Sequence, residues 1–84
     1  MTFEEACVAL ATKTGMSPTD WSDFLQCTAD QQRALVRAYS DMSWTKSRDT
    51  LNDVLAVLQV LGTVAGVVSG VGTAISVIAA LRSV

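Results

Sequence analysis

The stretch "GTVAGVVSGVGTA" at residues 62–74 holds four of the chain's five glycines in an uncharged apolar run. A glycine inside a helix costs about 1 kcal/mol relative to alanine, and valine is a mediocre helix former. In water this segment is therefore a poor helix by itself and needs lipid or close protein neighbours. Working outward, residues 54–81 carry no charged side chain, and half of these 28 residues are Val, Leu or Ile. As one helix they would be about 42 Å long, and about 20 apolar residues suffice to cross a bilayer core. Each Val, Leu or Ile favours insertion by about 0.3–0.6 kcal/mol, so a spanning helix is expected.

At about 100° per residue, Gly62, Ala65, Gly66, Ser69, Gly70, Thr73 and Ser76 fall in one sector of such a helix, with Ala80 beside them and Gln59 at the border. Val57, Val60, Val64, Val67, Val71, Ile75 and Ile78 form the opposite ridge. One face is thus a smooth groove that admits another helix backbone, held by dispersion and by weak Ser and Thr hydrogen bonds. Gly62, Gly66 and Gly70 make two overlapping GxxxG units. This pattern is similar to the glycine-zipper segments of membrane-associated and pore-forming proteins, over about a third of the chain. The resemblance implies self-association through the glycine face, with the Val/Ile ridge turned to lipid or to a protein core.

Two other arrangements fit the same residues. "SGVGT" at 69–73 can be a turn, with the chain broken near Gly70–Gly72 into a helical hairpin packed on the front of the molecule. Alternatively, a straight apolar helix can be buried inside a large assembly such as a virion, ring or filament.

The front of the chain reads differently. Residues 1–45 hold Glu4, Glu5, Asp20, Asp23, Asp30 and Asp41 against Lys13, Arg33 and Arg37, a balance of −3, while residues 46–53 are neutral. "TFEE", "SPTD" and "TADQ" each set a hydroxyl residue three positions before an acid or amide, the arrangement that caps a helix start. Pro18 stands at a first helical position. Helices are predicted over 3–14, 18–26 and 29–42, with Gly15 as a left-handed cap closing the first. Their apolar stripes are Phe3, Cys7 and Leu10; Trp21, Phe24 and Leu25; and Leu35, Ala38, Tyr39 and Met42. Trp44 is expected to cover the end of this bundle, and Thr50 with Asp53 to start the last helix, with a start near Ser43 as the alternative. The fold class is therefore all-α: an acidic three-helix head at 1–45, a polar junction at 46–53 and the apolar segment at 54–84.

Function classes narrow by chemistry. With net charge −2 and no His, the chain lacks both the basic stripe of a nucleic-acid binder and the commonest acid–base and metal-binding side chain. Asp20, Asp23 and Asp30 sit at helix starts, where the helix dipole accounts for them. Arg33 and Arg37, four apart, read as a solvated surface. Cys7 and Cys27 are too few and too far apart for a metal box or a CxxC pair, and read as buried free thiols, with a disulfide as the alternative. No enzyme activity, cofactor, metal, nucleic acid or small-molecule substrate is expected. "MTFEEACVALATKTG" is acidic and lacks a basic lead before an apolar core, so no secretory signal is expected. The expected protein is a membrane-inserting homo-oligomer of pore, lysis, channel or genome-delivery type, of the kind phage or bacteria use. Lys46 and Arg48 before the run, against Arg82 after it, would keep the head cytoplasmic. The alternatives are a structural subunit with assembly neighbours around its apolar helix, and a helical adaptor with a hairpin tail.

Overall fold

The computed structural model describes residues 1–64 and 70–83, and these are all-helical, with six helices. The first is α1 (Phe3–Thr14), followed by α2 (Pro18–Gln26), α3 (Ala29–Tyr39), α4 (Ser43–Lys46), α5 (Arg48–Gly62) and α6 (Gly70–Arg82).

The local signals of the front half act as read. Thr2 with Glu5 and Thr28 with Gln31 form complete capping boxes, and Ser17 caps α2 ahead of Pro18. Gly15 closes α1 at φ 80°, a conformation that disfavours any residue with a Cβ. Two boundaries differ. The third helix ends at Tyr39, short of residue 42, and the chain turns into α4 through a Met42 N–H to Tyr39 carbonyl bond of 2.8 Å. The fifth helix starts at Arg48, because Ser47 accepts the Thr50 N–H. Thr50, expected as the cap, instead donates its hydroxyl to Ser47 at 3.1 Å.

The apolar segment is where expectation and structure part. A single helix over 54–81 does not form: α5 stops at Gly62, and α6 begins again at Gly70. The stop is visible in the hydrogen bonds. The Thr63 N–H and Val64 N–H each reach back three residues, to Val60 and Leu61, and the Thr63 hydroxyl also donates to the Val60 carbonyl at 2.7 Å. Such tightening, with a hydroxyl competing for a helix carbonyl, ends a helix. The hairpin alternative placed the break near Gly70–Gly72, whereas Gly70 opens α6.

The two arms pack against each other, α5 also against α1, and α6 also against α3 and α2. Leu51, Val54, Leu55, Leu58 and Leu61 of α5, with Val71, Ala74, Val77 and Ile78 of α6, join Ala6, Leu10, Trp21, Phe24, Leu25 and Trp44 in one core. Both halves of the chain therefore contribute to it. The longest dimension is 32 Å and the radius of gyration 11.4 Å, close to the roughly 12 Å expected of one packed domain of this length. A straight helix of about 42 Å does not fit such a body.

This overturns the membrane localisation. Among the described residues no helix is long and apolar enough to cross a membrane: α5 and α6 have 15 and 13 residues against the roughly 20 required. The neighbours that the glycine-rich segment needs are supplied, for α6, by its own chain.

Aromatic residues fix the head. Trp21 meets Phe24 edge to face at 5.6 Å and Trp44 at 5.7 Å, while Tyr39 contacts both Phe24 and Trp44. Trp44 is buried, as expected. The Trp21 indole N–H donates to the Thr14 hydroxyl at 2.9 Å, and Thr14 donates to the Leu10 carbonyl, so α1 and α2 are tied by a satisfied buried polar pair.

Candidate interaction face

The residues expected to form one association face are distributed over two helices. Gly62 is the exposed last residue of α5, and Val71 and Ile75 of α6 lie at ordinary contact distance from where its Cβ would stand. Gly70 is buried against α2 and α3. A Cβ there would overlap the Leu25 carbonyl oxygen and come to 3.0 Å from Gln32 Nε2. Its glycine identity follows from this close approach inside the chain. Thr73 is half-buried and Ser76 exposed on α6. Ala65, Gly66 and Ser69 lie outside the described residues, as does Val67 of the ridge. The rest of the ridge divides: Val57, Val71 and Ile78 are buried, Ile75 is half-buried, and Val60 and Val64 are exposed.

Gln32 is the residue that sequence reasoning missed. On α3 the buried positions are Gln32 and Val36, with Leu35 and Tyr39 half-buried, while Ala38 and Met42 of the expected stripe face solvent. The stripe is rotated because Gln32, 0% exposed, sits between three helices. Its Nε2 donates to the Phe24 carbonyl at 3.0 Å and to the Gly70 carbonyl at 3.1 Å. These two bonds fix the amide orientation, since the flipped form would set its oxygen against two carbonyls. The end of α2 and the start of α6 are thereby clamped together.

Around the far end of α6, charge collects. A cavity of about 380 Å³ is lined by Ser40, Thr45, Lys46, Arg48, Leu51, Leu81 and Arg82. A groove of about 470 Å³ between α3 and α6 has Arg33 and Arg37 beside Val36, Val77, Ala80 and Leu81. The two meet at Leu81. Five of the chain's six cations line them, and among the described residues no carboxylate does. Local neutralisation is slight. Arg33 pairs with Asp30 at 3.0 Å in an exposed setting, where such pairs contribute little, and Arg82 bonds the neutral Asn52 side chain. The sixth cation, Lys13, lies elsewhere, 3.8 Å from Asp53. An acidic chain thus presents one basic face with an apolar floor.

The Cys7 thiol is buried and pushed up by desolvation, with Glu4 adding to the shift, so it stays protonated and unreactive. Cys27 is also a free thiol but only half-buried, contrary to expectation, with its Sγ 3.1 Å from the Asp23 carbonyl. Burial, then Asp20 and Cys27, push the Tyr39 hydroxyl up. Among the described residues no cluster of three Cys, Asp or Glu is placed to hold a metal ion. Comparison of the chain with protein-family models, with curated proteins and with solved structures gave no match.

Proposed function

We propose that this protein is a non-catalytic helical adaptor whose folded-back hairpin builds a basic, apolar-floored groove for an acidic amphipathic helix of a partner protein. The observation that carries this reading is the gathering of Arg33, Arg37, Lys46, Arg48 and Arg82 around two adjoining cavities in a chain of net charge −2. A helix laid in such a groove would bury its apolar side on Ala80 and Leu81, above the nearly closed Val36 and Val77. Its carboxylates would meet the guanidinium groups, which set the rate and selectivity of encounter more than the final affinity. The buried residues of α5 and α6 pack within the chain, and the side of α6 that stays accessible, Thr73, Ser76, Ala80 and Leu81, is one wall of the groove.

The test is a titration of isotopically labelled protein with a designed acidic Leu/Glu amphipathic peptide, followed by NMR. Amide shifts should change at Arg33, Arg37, Thr73, Val77 and Ala80, and Arg33→Glu with Arg37→Glu should weaken binding by about tenfold or more. A Lys-for-Glu version of the peptide that binds equally well, or an acidic peptide that shifts nothing, refutes the adaptor reading.

A further inference from the structure

The groove asks for a helix with an exposed apolar residue beside carboxylates, and the chain carries such a helix itself. On the solvent side of α1 stand Glu4, Glu5, Val8 and Thr12, all exposed. Positions 4, 8 and 12 fall one above another on a helix, and Glu5 is one turn before Val8. Val8, 55% exposed, is the most exposed large apolar side chain among the described residues. A lone exposed valine is ordinary; one with the free Glu4 carboxylate a turn before it, Glu5 being held in the Thr2 cap, is complementary to the accessible Ala80 and Leu81 lining beside Arg33 and Arg37, themselves one turn apart. On the neighbouring helix α2, exposed Asp23 stands one turn after Thr19, which lines the same cleft as Glu4 and Val8.

Placement gives the mode of contact. The outer face of α1 belongs to the side of the hairpin where α1 packs on α5, and the groove to the side where α3 packs on α6. The cleft that Glu4 and Val8 line with α2 shares no residue with the α3–α6 groove.

We propose that the α3–α6 groove receives the outer face of α1 from a second copy of this chain, so that copies join head to tail. Val8 enters between Arg33 and Arg37, and Glu4 meets the guanidinium pair. This rests on the groove being an interaction surface, as proposed above, and names its occupant. Because the offered face and the receiving face are different surfaces, the contact is heterologous. Each copy added leaves one face of each kind free, and growth continues unless the rotation closes a ring. Rim charges dominate recognition, so the contact weakens as salt shortens the Debye length from about 10 Å at 0.1 M to about 3 Å at 1 M.

Sedimentation equilibrium over a concentration series, in detergent-free buffer at low and at high salt, tests this. At low salt the average mass should climb with concentration beyond twice the 8.9 kDa of one chain, and at high salt it should fall back toward that value. Arg33→Glu/Arg37→Glu and Glu4→Lys/Val8→Lys should each stay at the mass of one chain. An equimolar mixture of the two should associate again, since each restores the other's complement. All substituted positions are exposed and Glu5 keeps its cap, so both variants should still melt cooperatively, somewhat below wild type because Glu4 leaves the first turn of α1 and Arg37 the last turn of α3. A wild-type chain that remains single at every concentration, variants that still associate, or a mixture that does not, each overturns the proposal. If the chain stays single while the acidic peptide still binds the groove, self-association fails and the adaptor reading stands; if the peptide fails as well, both fall.

Discussion

Replacing Gly70 with alanine separates the folded-back arrangement from a continuous glycine-faced helix. Gly70 does not have a positive φ, so alanine is acceptable to its backbone. The added methyl, however, would overlap the Leu25 carbonyl oxygen and crowd Gln32 Nε2. The obstacle is backbone and cannot swing aside, so α6 must shift from α2. Overpacking of this kind costs about 1–3 kcal/mol, and weakening of the Gln32–Gly70 bond about 1 kcal/mol more. The better helix propensity of alanine offsets at most about 1 kcal/mol. The net expectation is a loss of about 2 kcal/mol, which for a domain this small lowers the thermal midpoint by roughly 8–16 °C. Gly72→Ala is the internal control. Gly72 is exposed on the same helix with nothing near its absent Cβ, so there the propensity gain should appear alone, as a rise of a few degrees. Both are read from thermal melts followed by circular dichroism. Equal effects at the two positions, or a Gly70→Ala protein as stable as wild type, would refute the proposed contact between α2 and α6.

Gln32→Met keeps the side-chain length and removes the donations to the Gly70 carbonyl and to the Phe24 carbonyl, which still accepts the Cys27 N–H, together with a buried Oε1 that has no partner among the described residues. A loss of about 1 kcal/mol in urea unfolding is expected, whereas a stabilising effect would mean that the clamp is absent. The Thr2 backbone N–H and then its hydroxyl hold the Glu5 carboxyl below its ordinary value of 4.5. The folded state therefore gains stability from it above that value and loses it as pH falls through the lower folded pKa. Glu5→Gln should accordingly melt below wild type at neutral pH, and the gap should close in acid; a gap independent of pH would discount the capping box. Cys27 should react with a thiol reagent in the native protein, while Cys7, 3% exposed, should react only on unfolding; equal native rates would contradict the burial of α1 against the core.

The starts of the first three helices were legible because a cap is a local device: Thr2, Ser17 and Thr28 each satisfy an N–H three residues away. Gly15 was legible for the same reason. The apolar segment was harder, since a run of small and β-branched residues states that close neighbours are needed without stating which. Gly70 contributes to a glycine face on a continuous helix and equally to a crossing over the Leu25 carbonyl. The sign of a break at Thr63 is a hydroxyl competing for the Val60 carbonyl, and that is easily overlooked within an apolar run. Gln32 was missed because a polar side chain takes an apolar position only when carbonyls converge on it, and those carbonyls come from residues 24 and 70. The basic face escaped notice for a related reason. Positions 33, 37, 46, 48 and 82 are scattered along the chain, and folding alone collects them around Leu81.

The central claim is that α6 folds back along α5 of its own chain. Gly62 and Ile75 decide it: the Ile75 Cδ1 methyl lies 3.8 Å from where a Gly62 Cβ would stand, whereas in one straight helix thirteen residues separate them by about 20 Å. In a dilute, detergent-free sample, NOE spectroscopy should show a cross-peak between the Gly62 α protons and the Ile75 δ methyl that persists when labelled protein is diluted with unlabelled chain. Loss of that cross-peak, or its appearance only between differently labelled copies, would contradict the account.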